Sequence, residues 1–327
     1  MPPDTEPLHP VIREAEAAMR AVMSATVVTT PQEQRTLALR IDREVVAPLV
    51  ADPPTDVDVE DVTVAVPGRG DVRCRVYRPR GVRAVGGHLF LFGGAFRQGG
   101  IDFPSVDALL RTRAVRARTV VVAPDYALAP EHPYPAALEQ VVAVHRWLAA
   151  AADELGFPPG SVTVGGMSAG GNLAAALALV NRDGDRLPLR RQVLEVPVTD
   201  LTGGHLSVDV APSLGMPREA VVPMMQELAA NYLASASPTA PTASPLLARD
   251  LSGLPPADVL VAELDVFRGD GEAYVAELQR HGTPATLHAF AGMTHGSLAF
   301  TREVPGAREW EDRVVALLDP DREEDVP

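Results

Sequence analysis

Residues 162–173 read VTVGGMSAGGNL, and the rest of the chain can be interpreted outward from this stretch. The run SVTV (161–164) has the β-branched, apolar composition of a buried strand, and GNLAAALALV (171–180) has the composition of a helix. Between them, GMSAG (166–170) matches the pattern G-x-S-x-G. Such a sharp strand-to-helix turn lifts the serine hydroxyl above the sheet and puts the next amide at a helix N-terminus. The pattern predicts that Ser168 is a nucleophile, with an ordinary structural turn as the alternative.

Strand-like and helix-like runs alternate along the chain on both sides of this turn. The early runs 57–67 and 71–79 alternate apolar and polar residues, as exposed antiparallel strands do. The later runs are almost continuously apolar, as strands buried on both faces are: 87–94, 118–127, 161–168, 191–200, 257–266 and 285–292. Helix-like stretches separate them at 137–156, 169–184, 269–282 and 306–319. This order predicts an α/β fold with a mostly parallel central sheet flanked by helices.

Composition and charge exclude several classes of protein. The chain has 327 residues and a formal net charge of -14, which argues against a nucleic-acid or anionic-membrane partner. Cys74 is the single cysteine, so neither an intrachain disulfide nor a thiolate metal site can form. The stretch 1–19 has no apolar core of a signal peptide, and no segment approaches the roughly 18 apolar residues of a membrane span. We therefore expect a cytoplasmic protein with no metal and no organic cofactor.

A serine nucleophile needs a base, and that base is the next residue to find. The histidines that follow Ser168 in the chain are His205, His281, His288 and His295. His205 belongs to a predicted insertion, His281 ends a helix, and His288 lies within a strand. His295 lies in the glycine-flanked loop AGMTHGS (291–297), just past the last predicted strand. We predict that His295 is the base, with a surface-loop histidine as the alternative.

The acid that orients the base should follow a strand upstream of this histidine. Asp265 ends the run 257–266, and Asp200 ends the run 195–200. Both positions suit the role, so the residues alone favour Asp265 and leave Asp200 open as its rival. Asp270 begins the next helix, where an acidic residue is already favoured as a cap.

Four segments, in order, resemble the hormone-sensitive-lipase-like family of α/β hydrolases, which includes many bacterial carboxylesterases. They are DYALAPEHPYPAALEQ (125–140), GGMSAGGNLA (165–174), AELDVFRGDGEAYVAEL (262–278) and GMTHGS (292–297). The resemblance covers about residues 60 to 315 of this sequence. It implies an α/β-hydrolase fold with a helical cap, and it assigns the acid to Asp265. It also implies that His132, in the segment EHPYP, is a packing residue rather than a catalytic one.

The resemblance also implies a division of the chain into core and cap. N-terminal cap helices are expected over 1–55, the first part of the core over 56–200, a cap insertion over 201–245, and the second part of the core over 246–327. Within the insertion, PMMQEL (223–228) suits the lining of an apolar acyl pocket, although such a stripe is equally typical of plain core packing.

The segment after the third predicted strand departs from the family pattern. The family usually has His-Gly-Gly-Gly there, whereas this chain has FGGA at 92–95. The backbone N–H groups of Gly94 and Ala95, joined by that of Ala169, are the predicted oxyanion hole, since any non-proline residue supplies such a donor. Phe92 must then brace the loop by packing, and a positive φ at Ala95 would strain it by roughly 1 kcal/mol or more. Met167 stands where the family commonly has an acidic residue. The alternative is a hydrophobic strand with a simple glycine turn.

Together these residues predict a serine hydrolase that cleaves carboxylic esters through an acyl-enzyme formed on Ser168. Alternatives on the same fold are an acyltransferase, a lactone or amide hydrolase, or an eliminating enzyme acting on a specialised metabolite. A non-catalytic ligand-binding homologue is a third hypothesis, which the intact Ser, His and Asp set disfavours. The expected partner is a small-molecule ester or acyl substrate, with a homodimer as the candidate assembly and neither nucleic acid nor membrane.

Overall fold

The computed structural model describes residues 8–325. Residues 1–7 of the expected N-terminal cap segment, and 326–327 at the end of the second core segment, lie outside the described residues. The strands are β1 (Val57–Val64), β2 (Val72–Pro79), β3 (Gly86–Leu91), β4 (Thr119–Pro124), β5 (Val162–Met167), β6 (Arg191–Glu195), β7 (Ala257–Leu264) and β8 (Ala285–Thr294).

The helices of the described chain lie at both ends and between the strands. They are α1 (Pro10–Ser24), α2 (Pro31–Ile41), α3 (Pro104–Arg116), α4 (Ala136–Ala150), α5 (Ala152–Leu155), α6 (Ala169–Asp183), α7 (Arg218–Leu233), α8 (Arg268–Arg280) and α9 (Pro305–Leu318). A short π-helical turn, Asp42–Val46, continues α2. None of the helices within 8–325 has both the length and the apolar character that crossing a membrane requires.

The eight strands of the described chain form one sheet in the order β1-β2-β4-β3-β5-β6-β7-β8. Strand β2 is antiparallel to both β1 and β4, and every pairing from β4 to β8 is parallel. The predicted α/β fold with a mostly parallel sheet is confirmed. The alternation in the first run is also explained, because β1 is an outer strand whose residues are largely exposed between its ends. The expected exposure is wrong for β2, which lies between β1 and β4 and has only buried and half-buried residues.

The central strands are buried on both faces, as their apolar runs predict. In β7, Val259 and Val261 belong to one buried cluster, and Leu260 and Ala262 belong to a second cluster on the opposite face. The same prediction is wrong for β8, because this strand is the outer edge of the sheet and much of Ala285–Thr294 is exposed or half-buried. An apolar run therefore does not by itself reveal where a strand lies in the sheet.

The segments expected to form a cap make two kinds of contact with the rest of the protein. Helix α1 buries Ile12 and Ala15 in the cluster that contains Trp310 of α9. Near the C-terminal end of helix α7, the buried Tyr232 stacks its ring on Phe96 with a centroid distance of 3.7 Å. The C-terminal end of α7 is thus fixed to the loop that follows β3.

Candidate active site

The turn around Ser168 joins β5 to α6 with backbones in very close contact. Ser168 has φ 54° and ψ -115°, a conformation rare for an L-residue. A Cβ atom added at Gly166 would lie 2.4 Å from the Leu91 carbonyl oxygen, and one added at Gly170 would lie 2.0 Å from the same oxygen. Both flanking glycines are therefore required, since a side chain at either position would collide with β3.

The side chains of Ser168, His295 and Asp265 form a hydrogen-bonded chain at the carboxyl ends of β5, β7 and β8. His295 Nε2 lies 2.9 Å from Ser168 Oγ, and His295 Nδ1 lies 2.7 Å from Asp265 Oδ2. Asp265 is buried, and its Oδ1 accepts a hydrogen bond from the Phe267 N–H at 2.9 Å. This second bond fixes the carboxylate, so that its other oxygen faces the imidazole.

The charge of Asp265 also sets the basicity of the imidazole. Burial alone would lower the pKa of His295. The negative charge of Asp265 and its hydrogen bond together outweigh burial, and the pKa of His295 is raised above its ordinary value. A neutral His295 with its proton on Nδ1 would leave Nε2 free to accept the proton of the Ser168 hydroxyl.

The structure separates Asp265 from its rival. Asp200 is buried and accepts hydrogen bonds from His205 Nδ1 at 2.9 Å and from Thr202. No described residue links it to His295. Asp270 does not cap α8, whose N-cap residue is Phe267. Instead its buried carboxyl accepts from the Asp200 N–H at 3.0 Å, and burial raises the pKa of Asp270 to about 8.

The other histidines have partners or positions away from this chain of hydrogen bonds. His288 Nε2 lies 2.8 Å from Asp258 Oδ1, and His281 lies 3.5 Å from Asp250. His132 takes no part in this chain of hydrogen bonds, as expected, but it is exposed, so the expectation that it packs is wrong. Within residues 8–325, no cluster of three or more His, Cys, Asp or Glu side chains has the arrangement needed to hold a metal ion.

The loop after β3 is braced by aromatic packing. Phe92 is buried and stacks on Tyr126, with ring centroids 4.0 Å apart and an interplanar angle of 8°. The Tyr126 hydroxyl donates to the Phe92 carbonyl at 2.6 Å. Sequence reasoning missed this role of Tyr126, although the residue lies within the quoted segment 125–140. A large aromatic residue at 92 was the available signal, since it calls for an aromatic neighbour.

The same loop has three consecutive residues with positive φ, Gly94, Ala95 and Phe96, and the first two line the pocket beside Ser168. Gly94 has φ 135°, and a Cβ atom there would lie 2.0 Å from the Gln98 carbonyl oxygen. Ala95 has φ 53°, so the strain considered for it does occur. The backbone N–H groups of Gly94 and Ala95 make no hydrogen bond to any described residue. Ala169 is the first residue of α6, whose N–H likewise has no partner within its helix.

A pocket of about 360 Å³ opens onto Ser168 and His295. Its walls include Gly94 and Ala95 on one side and Met224 and Leu228 of α7 on another. The stripe at 223–228 thus both packs and lines the pocket, since Met225 of the same stripe is fully buried. Helices α1 and α2 contribute no described residue to the lining.

Comparison with known proteins identifies the family to which the chain belongs. A family model described as the alpha/beta hydrolase fold matches residues 88–299. A carboxylesterase of Mycobacterium tuberculosis, NlhH, is 36% identical over 80% of this chain and 82% of its own length. The chain belongs to the hormone-sensitive-lipase-like family of α/β hydrolases.

Other members of this family show how far the similarity extends. The carboxylic ester hydrolase LipN of M. tuberculosis is 36% identical over 86% of this chain and 75% of its own length. The structure of EstE1, a thermostable carboxylesterase cloned from a metagenomic library, superposes with a TM-score of 0.80 at 36% identity, covering 90% of this chain and 98% of EstE1. A hyperthermophilic esterase from Pyrobaculum calidifontis gives 0.84 at 30% identity, covering 98% of this chain and all of that one.

Proposed function

We propose that the protein hydrolyses small-molecule carboxylic esters, with Ser168 as nucleophile, His295 as base and Asp265 as the residue that orients the imidazole. The observation that carries the proposal is the continuous hydrogen-bonded chain from the serine hydroxyl through the imidazole to a buried carboxylate. The named activities of the relatives, carboxylesterase and carboxylic ester hydrolase, support the same reaction.

The reaction begins when Ser168 Oγ attacks the acyl carbon of the ester and its proton passes to His295 Nε2. The Asp265 carboxylate stabilises the imidazolium that forms and keeps the other imidazole proton on Nδ1. The alcohol then leaves, taking the proton from His295, and the acyl group stays on Ser168. Water attacks this acyl-enzyme with His295 again as base, which releases the acid and restores the serine.

The negative charge on the attacked carbonyl oxygen needs donors, and we assign this role to the N–H groups of Gly94, Ala95 and Ala169. The N–H groups of Gly94 and Ala95 support this assignment because they make no hydrogen bond to a described residue. The N–H of Ala169 supports it because Ala169 is the first residue of α6. Loss of one such donor typically lowers the rate by about 10²–10³. Because the donors are backbone groups, the alanine at 95 supplies its N–H as a glycine would.

We propose that the insertion 201–245 is the cap over this pocket, because Met224, Glu227 and Leu228 line it. Together with the N-terminal segment 1–55, it makes up the non-core part of the chain. The cytoplasm is the compartment we propose, since the single cysteine is a free, buried thiol.

The first test is labelling with a fluorophosphonate probe, followed by a panel of p-nitrophenyl esters from short to long chain. Wild type should be labelled and should hydrolyse the esters, whereas Ser168→Ala should not be labelled and Asp265→Asn should react far more slowly. Asp258→Asn is the matched control, because Asp258 holds His288 in a similar Asp–His pair. If folded wild type is neither labelled nor active, the proposed hydrolase function fails.

A further inference from the structure

Arg97 places a positive charge in the wall of the pocket that contains Ser168. It follows Ala95 by two residues, and among the described lining residues it is the one arginine. Its Nη1 donates to Glu227 Oε1 at 3.3 Å, across the gap between the loop and α7. Glu227 is 69% exposed at its side chain, whereas Arg97 is 29% exposed. The pair therefore lies at the rim of the pocket, with its cation on the inner side.

This ion pair uses little of the hydrogen-bonding capacity of the guanidinium. A donor-acceptor distance of 3.3 Å is long for such a bond, and a pair with so exposed a carboxylate contributes little stability. Nε is buried without a partner, and no described residue accepts a hydrogen bond from Nη2. Arg35, by contrast, binds both oxygens of Glu131 and donates to two backbone carbonyls. Arg97 is thus held by a partner that a competing anion can replace.

The backbone of Arg97 is held by hydrogen bonds on both sides, which fixes the position from which the side chain extends. The Arg97 N–H donates to the Gly94 carbonyl at 3.1 Å, and the Arg97 carbonyl accepts from Arg35 Nε at 3.0 Å. The preceding Phe96 is buried and stacked on Tyr232. Such anchoring lowers the entropy lost when the side chain binds a ligand.

Because the rest of the pocket lining is largely apolar, the charge of Arg97 favours substrates that carry an anion. Met167, Met224, Leu228 and Phe267 line the same pocket with apolar surface. A purely apolar substrate gains nothing from a cation there. A carboxylate gains a planar, two-donor partner, the geometry in which arginine binds carboxylates best.

We propose that Arg97 is an anion-binding subsite for esters that carry a carboxylate on the acyl or the alcohol part. The substrate carboxylate takes the guanidinium from Glu227, and the ester group then lies against Ser168. This subsite rests on the proposed function, because it selects among substrates of the same serine. It explains why the loop that supplies the oxyanion donors also carries an arginine facing the pocket.

The test measures kcat/KM for matched anionic and neutral esters. The acyl arm compares the monoethyl esters of succinic, glutaric and adipic acids with ethyl butanoate, pentanoate and hexanoate. The alcohol arm compares γ-acetoxybutyrate with butyl acetate. In at least one arm, Arg97→Met should lower the ratio of anionic to neutral kcat/KM by about tenfold or more, the size expected for a lost charge-assisted contact.

Two further variants make the result specific. Glu227→Gln should raise the same ratio, because it removes both the competing carboxylate and its repulsion of the substrate. Arg146→Met, which removes a surface arginine paired with Asp185, should leave the ratio unchanged. The subsite is rejected if Arg97→Met changes the ratio no more than Arg146→Met in both arms. Failure of wild type on the neutral esters as well would instead reject the proposed hydrolase.

Discussion

Ser168 and Ala95, at the proposed active site, hold backbone conformations that L-residues rarely adopt. Ser168 has φ 54° and Ala95 has φ 53°. At Ser168 the surrounding bonds hold the strained turn, because its N–H donates to the Glu195 carbonyl at 2.9 Å and its carbonyl accepts from the Asn172 N–H at 3.0 Å. At Ala95 the strain has no such compensation, so a substitution can remove it.

Ala95→Gly should stabilise the protein, which is unusual for a change to glycine. A positive φ costs alanine about 1–2 kcal/mol, and glycine removes that cost. Glycine also gives the unfolded chain more conformational entropy, which opposes part of the gain. The free energy of unfolding should therefore rise by up to about 1 kcal/mol. Urea unfolding measures the change. Ala143→Gly, at a half-buried position within α4, should instead lose about 0.5–1 kcal/mol. Equal losses in both variants would contradict the strain at Ala95.

The raised pKa of His295 sets the acid side of the pH profile. His295 must be neutral to accept a proton, so kcat/KM should be full above its pKa and should fall as the pH drops below it, at a pH above the ordinary value of 6.5. Asp265→Asn removes the charge that raises the pKa and leaves burial, which lowers it. The acid limb should therefore move to lower pH, while the rate falls by about 10⁴.

The matched control for this profile is Asp258→Asn, which alters an Asp–His pair outside the pocket. Its acid limb should coincide with that of wild type. An unchanged acid limb in Asp265→Asn would show that Asp265 does not control the ionisation of His295.

The residue pattern alone could not decide between Asp265 and Asp200 as the acid. Both residues follow an apolar run, and periodicity carries no information about which carboxylate faces which histidine. The structure pairs Asp200 with His205, five residues away on the same loop, and pairs Asp265 with His295. The family resemblance, rather than the residue pattern alone, selected between them.

At the scale of elements, the loop after β3 is contacted by two helices, α2 and α7, from the segments that the sequence assigned to the cap. Helix α7 stacks Tyr232 on Phe96, and helix α2 reaches the loop through Arg35. These contacts join segments far apart in the chain, so no local pattern predicts them. They also mean that a change in α7 can alter the pocket without touching the reacting groups.

Met224→Trp should shift the chain-length preference of the enzyme. Met224 lines the pocket from α7, and a larger ring there reduces the space for long acyl chains. The ratio of kcat/KM for p-nitrophenyl octanoate to that for the acetate should fall by about tenfold, the effect of about 1.4 kcal/mol. Val222→Trp, on an exposed position of the same helix, should leave the ratio unchanged. Equal effects of the two variants would mean that α7 does not border the acyl site.

The strands themselves were predictable, because each predicted run overlaps the strand that the structure forms. The strand extends past its run only at the start of β3, by one residue, and at the end of β8, by two residues. The exposure of β8 was not predictable, because its run 285–292 resembles the run of a central strand. Its place at the sheet edge follows from the order in which the strands assemble, and that order is a property of the whole molecule.

Across the whole molecule, a buried charge network ties the serine turn to distant helices. Arg113 of α3 binds both oxygens of Glu195 at the end of β6, at 2.7 and 2.9 Å, and also binds Glu311 of α9 at 3.0 Å. Trp310 adds a bond to Glu195 at 2.8 Å. All four side chains are buried, and burial raises the pKa of Glu311. Since the Glu195 carbonyl holds the Ser168 N–H, the network supports the turn from behind.

Arg113→Met should destabilise the protein by about 3–5 kcal/mol, because it leaves two buried glutamates without their cation. The loss should be larger at about pH 8 than at about pH 5. Burial raises the pKa of Glu311 and the Arg113 charge opposes that, so removal of Arg113 raises this pKa further. A carboxyl whose pKa is raised in the folded state opposes folding as the pH rises through the raised value. Urea unfolding at both pH values measures it. Arg116→Met, which removes an exposed partner of Asp312 on the same helix, should cost no more than about 0.5 kcal/mol. If the two variants were equally stable at the higher pH, the network would contribute no more to folding than a surface ion pair does.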